Sequence, residues 1–355
     1  MIMPLNSRMA GFVKELALSN YRAPRLPYRL LVYLTLRCNC RCRICSVWKK
    51  KSHRELGRDE LFRMFRFAAP FIRWLHLGGG EIFLREDIMD ILESAGRELS
   101  RLFLVQFATN ATLPERVLEG CRVLADSPIP RIITTVSIDG IGTDHDRQRG
   151  VEGLFERAVG LYREIKTAHR GRISPRLGLT VTRDNCRDLA DIFRRLHHNY
   201  RIPPVDLHVN FYHHSSVFYA NPPGWTLSTG QARSAVGTIA SVMPWYCRFT
   251  PSGLFEQRYR SLFPVFLEKG RCPILCGSFS TSLTVSPEGE CRPCTLDHRS
   301  AGNIREFDYR IDRLWASTSR HRLREKIMRG DCPQCWTPCE AFQAMFAQFL
   351  PGHRR

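Results

Sequence analysis

Residues 29–49 read RLLVYLTLRCNCRCRICSVWK. The run through Leu36 is almost wholly apolar, the pattern of a buried strand. The next stretch sets Cys38, Cys40, Cys42 and Cys45 within eight residues, with arginines between them. A strand or helix core gains nothing from such crowding, so the thiols call for a chemical explanation.

Downstream of this strand the hydrophobic period alternates. Helical spacing over 58–69 puts Leu61, Phe65 and Ala68 on one face, and 72–77 reads as a strand. A helix over 87–99 stripes Ile88, Ile91, Leu92, Ala95 and Leu99, followed by a strand at 102–108. Pro114 suits the first turn of a helix over 114–125, and the β-branched run RIITTVSI at 131–138 reads as a strand. Helix 152–168, strand 176–182, helix 186–198 and strand 204–211 complete the series. Six strands alternating with five helices predict an α/β fold with a parallel sheet. No dinucleotide fingerprint accompanies them, so a partial (β/α)6 TIM-like barrel fits better than a doubly wound sheet. In such barrels chemistry sits where strands end and loops begin.

The expected organisation is an N-terminal segment at 1–28, the barrel at 29–215 and a linker with one or two helices at 216–270. A small cysteine-rich domain at 271–345 and a basic tail at 346–355 follow. No apolar run approaches the ~20 residues of a membrane span. The start lacks the apolar region and cleavage site of a signal peptide, so a cytoplasmic, reducing location is expected. There, fourteen cysteines are better explained by metal than by disulfides. The net charge of +19 is arginine-rich and spread along the chain. It reads either as surface bias or as a surface for an acidic partner: a leader peptide, a phosphorylated substrate, an anionic membrane or nucleic acid. No DNA-reading motif accompanies it.

Cys38, Cys42 and Cys45 form C-x3-C-x2-C directly after the first strand. Three thiolates on one loop can hold three irons of a [4Fe–4S] cluster and leave the fourth open to a chelating ligand. A zinc knuckle is the alternative, and Cys40 could substitute as a ligand or fill the loop. This placement resembles the radical S-adenosylmethionine (SAM) superfamily. The resemblance implies that the open iron takes the amino and carboxylate groups of SAM. Reductive cleavage then gives a 5′-deoxyadenosyl radical that abstracts hydrogen from a substrate. An electron donor such as flavodoxin or ferredoxin is implied as well. The family's aromatic residue before the third cysteine is replaced here by Ile44, so adenine packing is expected to lean on Ile44 and Trp48.

The other strand ends extend the resemblance. LGGGEIFLRED after the second strand is similar to the glycine–glycine–glutamate motif that binds the SAM amino group, here Gly79, Gly80 and Glu81. Thr109 and Asn110 end the third strand as a site-shaping pair. Ser137 and Asp139 share one side of the fourth strand end, where a serine of similar proteins contacts the ribose. Arg149, twelve residues beyond Ser137, matches the arginine that contacts the SAM carboxylate. Val181 at the fifth strand end is a candidate for packing on adenine. In the sixth strand Asp206, His208, Asn210 and Tyr212 alternate with apolar residues. That polar face is either a substrate wall or a solvated edge.

In the C-terminal part, Cys276 is followed after twelve residues by Gly289 and after four more by Cys294. Between them STSLTVSPEGECRPC reads as a β-hairpin. With Gly302-Asn303-Ile304 and CPQCWTPCE, this resembles the SPASM/twitch extensions that carry auxiliary iron–sulfur clusters. The shorter form implies Cys276, Cys294, Cys332 and Cys335 as ligands of one auxiliary [4Fe–4S] cluster, with Cys272, Cys291 and Cys339 as alternates. A zinc ribbon is the alternative. Asp297 is a candidate acid/base, and Phe342, Met345, Phe346 and Phe349 align as a docked helix. The function expected from this resemblance is hydrogen abstraction from a peptide or protein, a separate carrier protein presenting the peptide. A dehydrogenase or modifying enzyme of a sugar-like or lipid-like small molecule comes second. A basic zinc protein binding nucleic acid is the reading from another class.

Overall fold

In the computed structural model, residues 5–243 and 251–349 are described. Residues 1–4, 244–250 of the expected linker and 350–355 of the expected basic tail lie outside them.

Six parallel strands form the barrel wall: β1 (Arg29–Thr35), β2 (Trp74–Gly79), β3 (Leu104–Thr109), β4 (Arg131–Ile138), β5 (Ile173–Val181) and β6 (Leu207–Phe211). The chain opens with α1 (Leu5–Ser19). The connections carry α2 (Arg58–Ala68), α3 (Ile88–Glu98), α4 (Pro114–Ala125), α5 (Thr143–Arg149), α6 (Leu154–Ala168) and α7 (Leu189–His198). Alternation decides which side each residue faces. In β5, Leu177, Leu179 and Val181 join the apolar core under the helices, while Gly178 and Thr180 face the concave side. In β4, Val136 and Ile138 face the core and Ser137 the concave side.

After α8 (Thr229–Val242) and α9 (Pro251–Lys269) the chain forms β7 (Ser282–Val285) and β8 (Cys291–Arg292), then α10 (Ile311–Trp315), α11 (Thr318–Met328) and α12 (Pro338–Phe346). The expected hairpin is present, since β7 and β8 pair antiparallel. However, β7 also pairs parallel with β1, from Arg29↔Ser282 to Val32↔Val285, giving one sheet in the order β6-β5-β4-β3-β2-β1-β7-β8. The cysteine-rich part is thus continuous with the barrel sheet. Gly302-Asn303-Ile304 closes the hairpin: Asn303 donates to the Glu288 carbonyl at 2.9 Å and the Ile304 N–H to the Gly289 carbonyl at 2.8 Å. Arg305 clasps Glu60 of α2 at 2.6 Å, holding that carboxyl down at about 2.

The C-terminal aromatic stripe docks as expected. Phe342 packs on Tyr259 and His208, and Phe346 on Trp74. Trp74 is in β2 and His208 in β6, so α12 lies across the concave side. The sixth strand's polar face therefore meets protein. His208 Nδ1 lies 2.6 Å from Glu256, and Tyr259 donates to Asn210 at 3.3 Å, both partners on α9. Asp206 precedes the strand and accepts from Tyr162 and Lys166, with Arg176 at 3.5 Å. The Tyr212 hydroxyl donates to the Pro222 carbonyl. Among the described residues no helix is long and apolar enough to cross a membrane.

Candidate functional site

The cysteine loop begins where β1 ends. Its backbone is pinned to α5: Arg41 N–H donates to the Arg149 carbonyl at 3.0 Å and Arg43 N–H to that of Gln148 at 2.9 Å. Cys38, Cys42 and Cys45 keep accessible surface, whereas Cys40 is wholly buried beneath them. The neighbouring Cys40 thiol, with Arg149 nearby, lowers the Cys42 thiol to about 7. The C-x3-C-x2-C trio thus keeps accessible surface, and Cys40 is buried within the loop.

The β2 end explains two glycines. A Cβ on Gly80 would stand 2.1 Å from the Arg37 carbonyl, and one on Gly79 2.4 Å from that of Thr35. Gly79 also takes φ +140°, open to glycine. Their absence of side chains lets Glu81 N–H donate to the Arg37 carbonyl at 2.8 Å, locking β2 to the root of the cysteine loop. The Glu81 carboxylate does not reach outward. It accepts from Asn110 N–H at 2.7 Å, Phe83 N–H at 3.3 Å and Thr109 Oγ1 at 3.2 Å. Burial raises it to about 7 despite these donors. Its place is the mortar between β2 and β3.

Asn110 extends from this joint to the thiols. Its Nδ2 donates to Asn39 Oδ1 at 2.9 Å and approaches Cys38 Sγ at 3.8 Å. Arg149 is the end of α5, a short helix that the sequence pattern did not reveal. Its Nε lies 2.6 Å from Asp139 Oδ2, and Asp139 is only 1% exposed at its side chain. Burial alone would lower the guanidinium's pKa, but Asp139 and the thiols of Cys42 and Cys40 raise it. Asp139 is further placed by His145, whose Nδ1 accepts the Asp139 N–H at 3.0 Å; burial pushes that imidazole down to about 3. Ser137 faces the same concave side. Val181 does not: it points into the helical core, so the residue offered beside it is Thr180.

The second group of cysteines surrounds a cavity enclosing about 310 Å³, part of it open to solvent, lined by Cys272, Cys276, Cys294, Cys332 and Cys335. Cys272 Sγ accepts the Cys335 N–H at 3.4 Å. Cys291 is buried in the hairpin core, away from this wall. Asp297 also lines the cavity but is held by Arg299 through Nε at 2.9 Å and Nη2 at 2.6 Å. Locked in that ion pair, its carboxylate is already engaged by a guanidinium. Among the described residues no three His, Cys, Asp or Glu side chains converge closely enough to hold a single metal ion. Tyr219 packs against two clusters, that of Leu31, Tyr33, Val47 and Phe218, which Cys45 also joins, and that of Cys294, Leu296 and Cys335.

Residues 32–196 match the model of the radical SAM superfamily, and residues 276–339 that of SPASM, an iron–sulfur cluster-binding domain. The chain is 23% identical over 326 residues to the antilisterial bacteriocin subtilosin biosynthesis protein AlbA of Bacillus subtilis, covering 87% of this chain and 65% of that protein. It is 30% identical over 167 residues to pre-heme d1 synthase of Dinoroseobacter shibae, 45% of this chain and 38% of that protein. It thus spans less than two-thirds of either curated relative. Streptococcus suis SuiB bound to SAM superposes with a TM-score of 0.63 at 15% identity, covering 88% of this chain and 70% of that one. SuiB bound to its precursor peptide SuiA gives 0.59 at 15% identity, with 88% and 69% covered. At this identity the likeness concerns the fold. The first family uses a [4Fe–4S] cluster and SAM, and the SPASM domain carries additional iron–sulfur clusters. The chain carries a radical SAM superfamily domain over residues 32–196 and a SPASM iron–sulfur cluster-binding domain over residues 276–339.

Proposed function

We propose that this enzyme abstracts a hydrogen atom from a peptide or protein presented at the concave mouth of the barrel. The observation that carries the reading is the partly accessible trio Cys38, Cys42 and Cys45 on the loop pinned to α5, with the permanently charged Arg149, its side chain 13% exposed, held by Asp139. Cys38, Cys42 and Cys45 would hold a [4Fe–4S] cluster there, which would supply the electron for reductive cleavage of SAM. The protein's share is placement. Arg149, held by Asp139, offers its fork to a carboxylate. The glycine-turn carbonyls receive an ammonium, and Ser137 and Thr180 line the nucleoside side.

The peptide reading is supported by the similarity to AlbA over most of the chain. Incubation with SAM, dithionite and the short peptides encoded beside this protein should give a product lighter by hydrogen or altered in hydrogen exchange, read by mass spectrometry. No change in any such peptide, with 5′-deoxyadenosine still formed, would turn the search to small molecules.

An electron must come from outside. Arg37, Arg41, Arg43, Lys49, Lys51 and Arg54 are exposed on the loop, and no acidic residue interrupts 37–54. Such a rim suits an acidic donor of the flavodoxin or ferredoxin kind.

For the second cavity we assign Cys276, Cys294, Cys332 and Cys335 as cluster ligands and Cys272 as a bystander. Cys332→Ala should lower iron by about four per chain. Cys272→Ala and Cys291→Ala should retain it, as measured by iron and sulfide analysis.

A further inference from the structure

Helix α1 is apolar on two sides. Its inner side seals the N-terminal ends of the strands. Arg8 donates to the Leu102 and Pro128 carbonyls at 3.1 Å, just ahead of β3 and β4, and Phe12 stacks on Phe103 with ring centroids 4.9 Å apart. Its outer side repeats Met9, Val13, Ala17 and, just past the helix, Tyr21 at a spacing of four. All four stand exposed, Val13 at 57% and Tyr21 at 70%. A helix apolar all round belongs inside something, and this one has the barrel on one side only.

The apolar surface continues beyond α1. Asn20 Nδ2 donates to the Phe346 carbonyl at 3.0 Å, and Phe255 packs on Phe346 and Phe349 with centroids 4.0 and 5.1 Å apart. Leu254, beside Phe255, and Phe349 are each 46% exposed. Among the described residues, five of the seven exposed large apolar side chains thus lie on α1 or at its C-terminal end. Such gathering marks an interaction surface rather than scatter.

The charges around this surface have one sign. Lys14, Arg22 and Arg25 are exposed and enter no ion pair among the described residues, and Arg258 lies 5.9 Å over the Phe349 ring. Glu15, the one acid of α1, lies 4.0 Å from Arg73. A second copy of the chain would bring two sets of the same cations together across a two-fold axis. A protein partner would have to accept Lys14 among Ala10, Val13 and Ala17, and lysine is depleted from the centres of protein interfaces. A lipid surface suits both features. The apolar side chains enter the boundary of the acyl chains, while the long stem of Lys14 carries its ammonium out to the phosphates.

We propose that the outer face of α1, with Leu254 and Phe349, seats this protein on an anionic bilayer surface without crossing it. The cysteine loop begins at the opposite end of β1, so the seat leaves the candidate SAM site open.

Flotation of the iron-loaded protein tests this, with vesicles of equal parts phosphatidylglycerol and phosphatidylcholine set against phosphatidylcholine alone. Wild type should float with the mixed vesicles about tenfold more than with the neutral ones. Salt at about 0.5 M should remove most of that excess. Val13→Glu should lower binding to the mixed vesicles several-fold, with iron content and urea midpoint unchanged because the side chain stands in solvent. The Arg22→Gln/Arg25→Gln double variant should lose much of the preference for the anionic lipid. Wild type that floats with neither vesicle would overturn the proposal and leave the face to another protein. Equal flotation on both vesicles, or flotation of Val13→Glu at the wild-type level, would overturn it as well. So would a wild-type dimer in sedimentation velocity that Val13→Glu dissolves, which would give the face to a second copy.

Discussion

Cys42→Ala is expected to reduce SAM cleavage to background while Cys40→Ala leaves it close to wild type. Both residues lie on the same loop two positions apart, and both touch each other and Arg149. They differ in exposure. Cys42 keeps accessible surface with Cys38 and Cys45, whereas Cys40 is 0% exposed. Without Cys42 only two thiols of the trio remain, and two do not retain a cubane that needs at least three protein ligands to leave one iron free. Iron should fall from about eight to about four atoms per chain, the remainder belonging to the second cavity. The backbone hydrogen bonds of Arg41 and Arg43 to α5 do not involve side chains, so the loop should survive the substitution. Iron analysis and 5′-deoxyadenosine release measured together decide the matter. Full activity in Cys42→Ala, or its loss in Cys40→Ala, would reassign the trio.

Much of this architecture is legible from local pattern because the barrel is built of repeated units whose periods differ sharply. Strand β4 and helix α3 are found within a residue of where periodicity puts them. The unread parts are those set by distant packing. The run SLTV reads as a hairpin arm, which it is, but nothing local says that its other edge joins β1. In β6 the alternation of His208 and Asn210 is visible, while the helix that faces them lies more than forty residues away. Val181 shows a limit of another kind. Its position at a strand end is readable, but one step of strand phase separates the core face from the concave face. Asn110 near Cys38, and Asp139 against Arg149, are contacts across loops whose pairing no spacing encodes. Burial of Cys40 beneath Cys42 likewise depends on how the loop meets α5, a helix too short to show a period.

The Arg149–Asp139 pair allows stability and SAM binding to be separated. Both groups are buried, so removing either partner leaves an uncompensated charge. Arg149→Met should cost about 3–5 kcal/mol in unfolding free energy, read by urea titration of the apo protein. Asp139→Asn should cost less, because Asn keeps an oxygen for the Thr180 N–H that Asp139 now accepts at 3.4 Å, and the thiolate of Cys42 offers Arg149 a second anion. In the double variant both charges are gone, and its loss should fall short of the sum of the two single losses by a coupling of about 2–3 kcal/mol. SAM binding should show no such recovery. The double variant has no guanidinium to meet a carboxylate, so the reconstituted protein should bind SAM at least tenfold more weakly than wild type by equilibrium dialysis. A purely structural ion pair would behave otherwise, with stability and SAM affinity recovering together in the double variant. Asp139→Asn alone should weaken SAM binding less than Arg149→Met, since the guanidinium remains and only its anchor is lost. The reverse order would mean that Asp139, rather than Arg149, meets SAM.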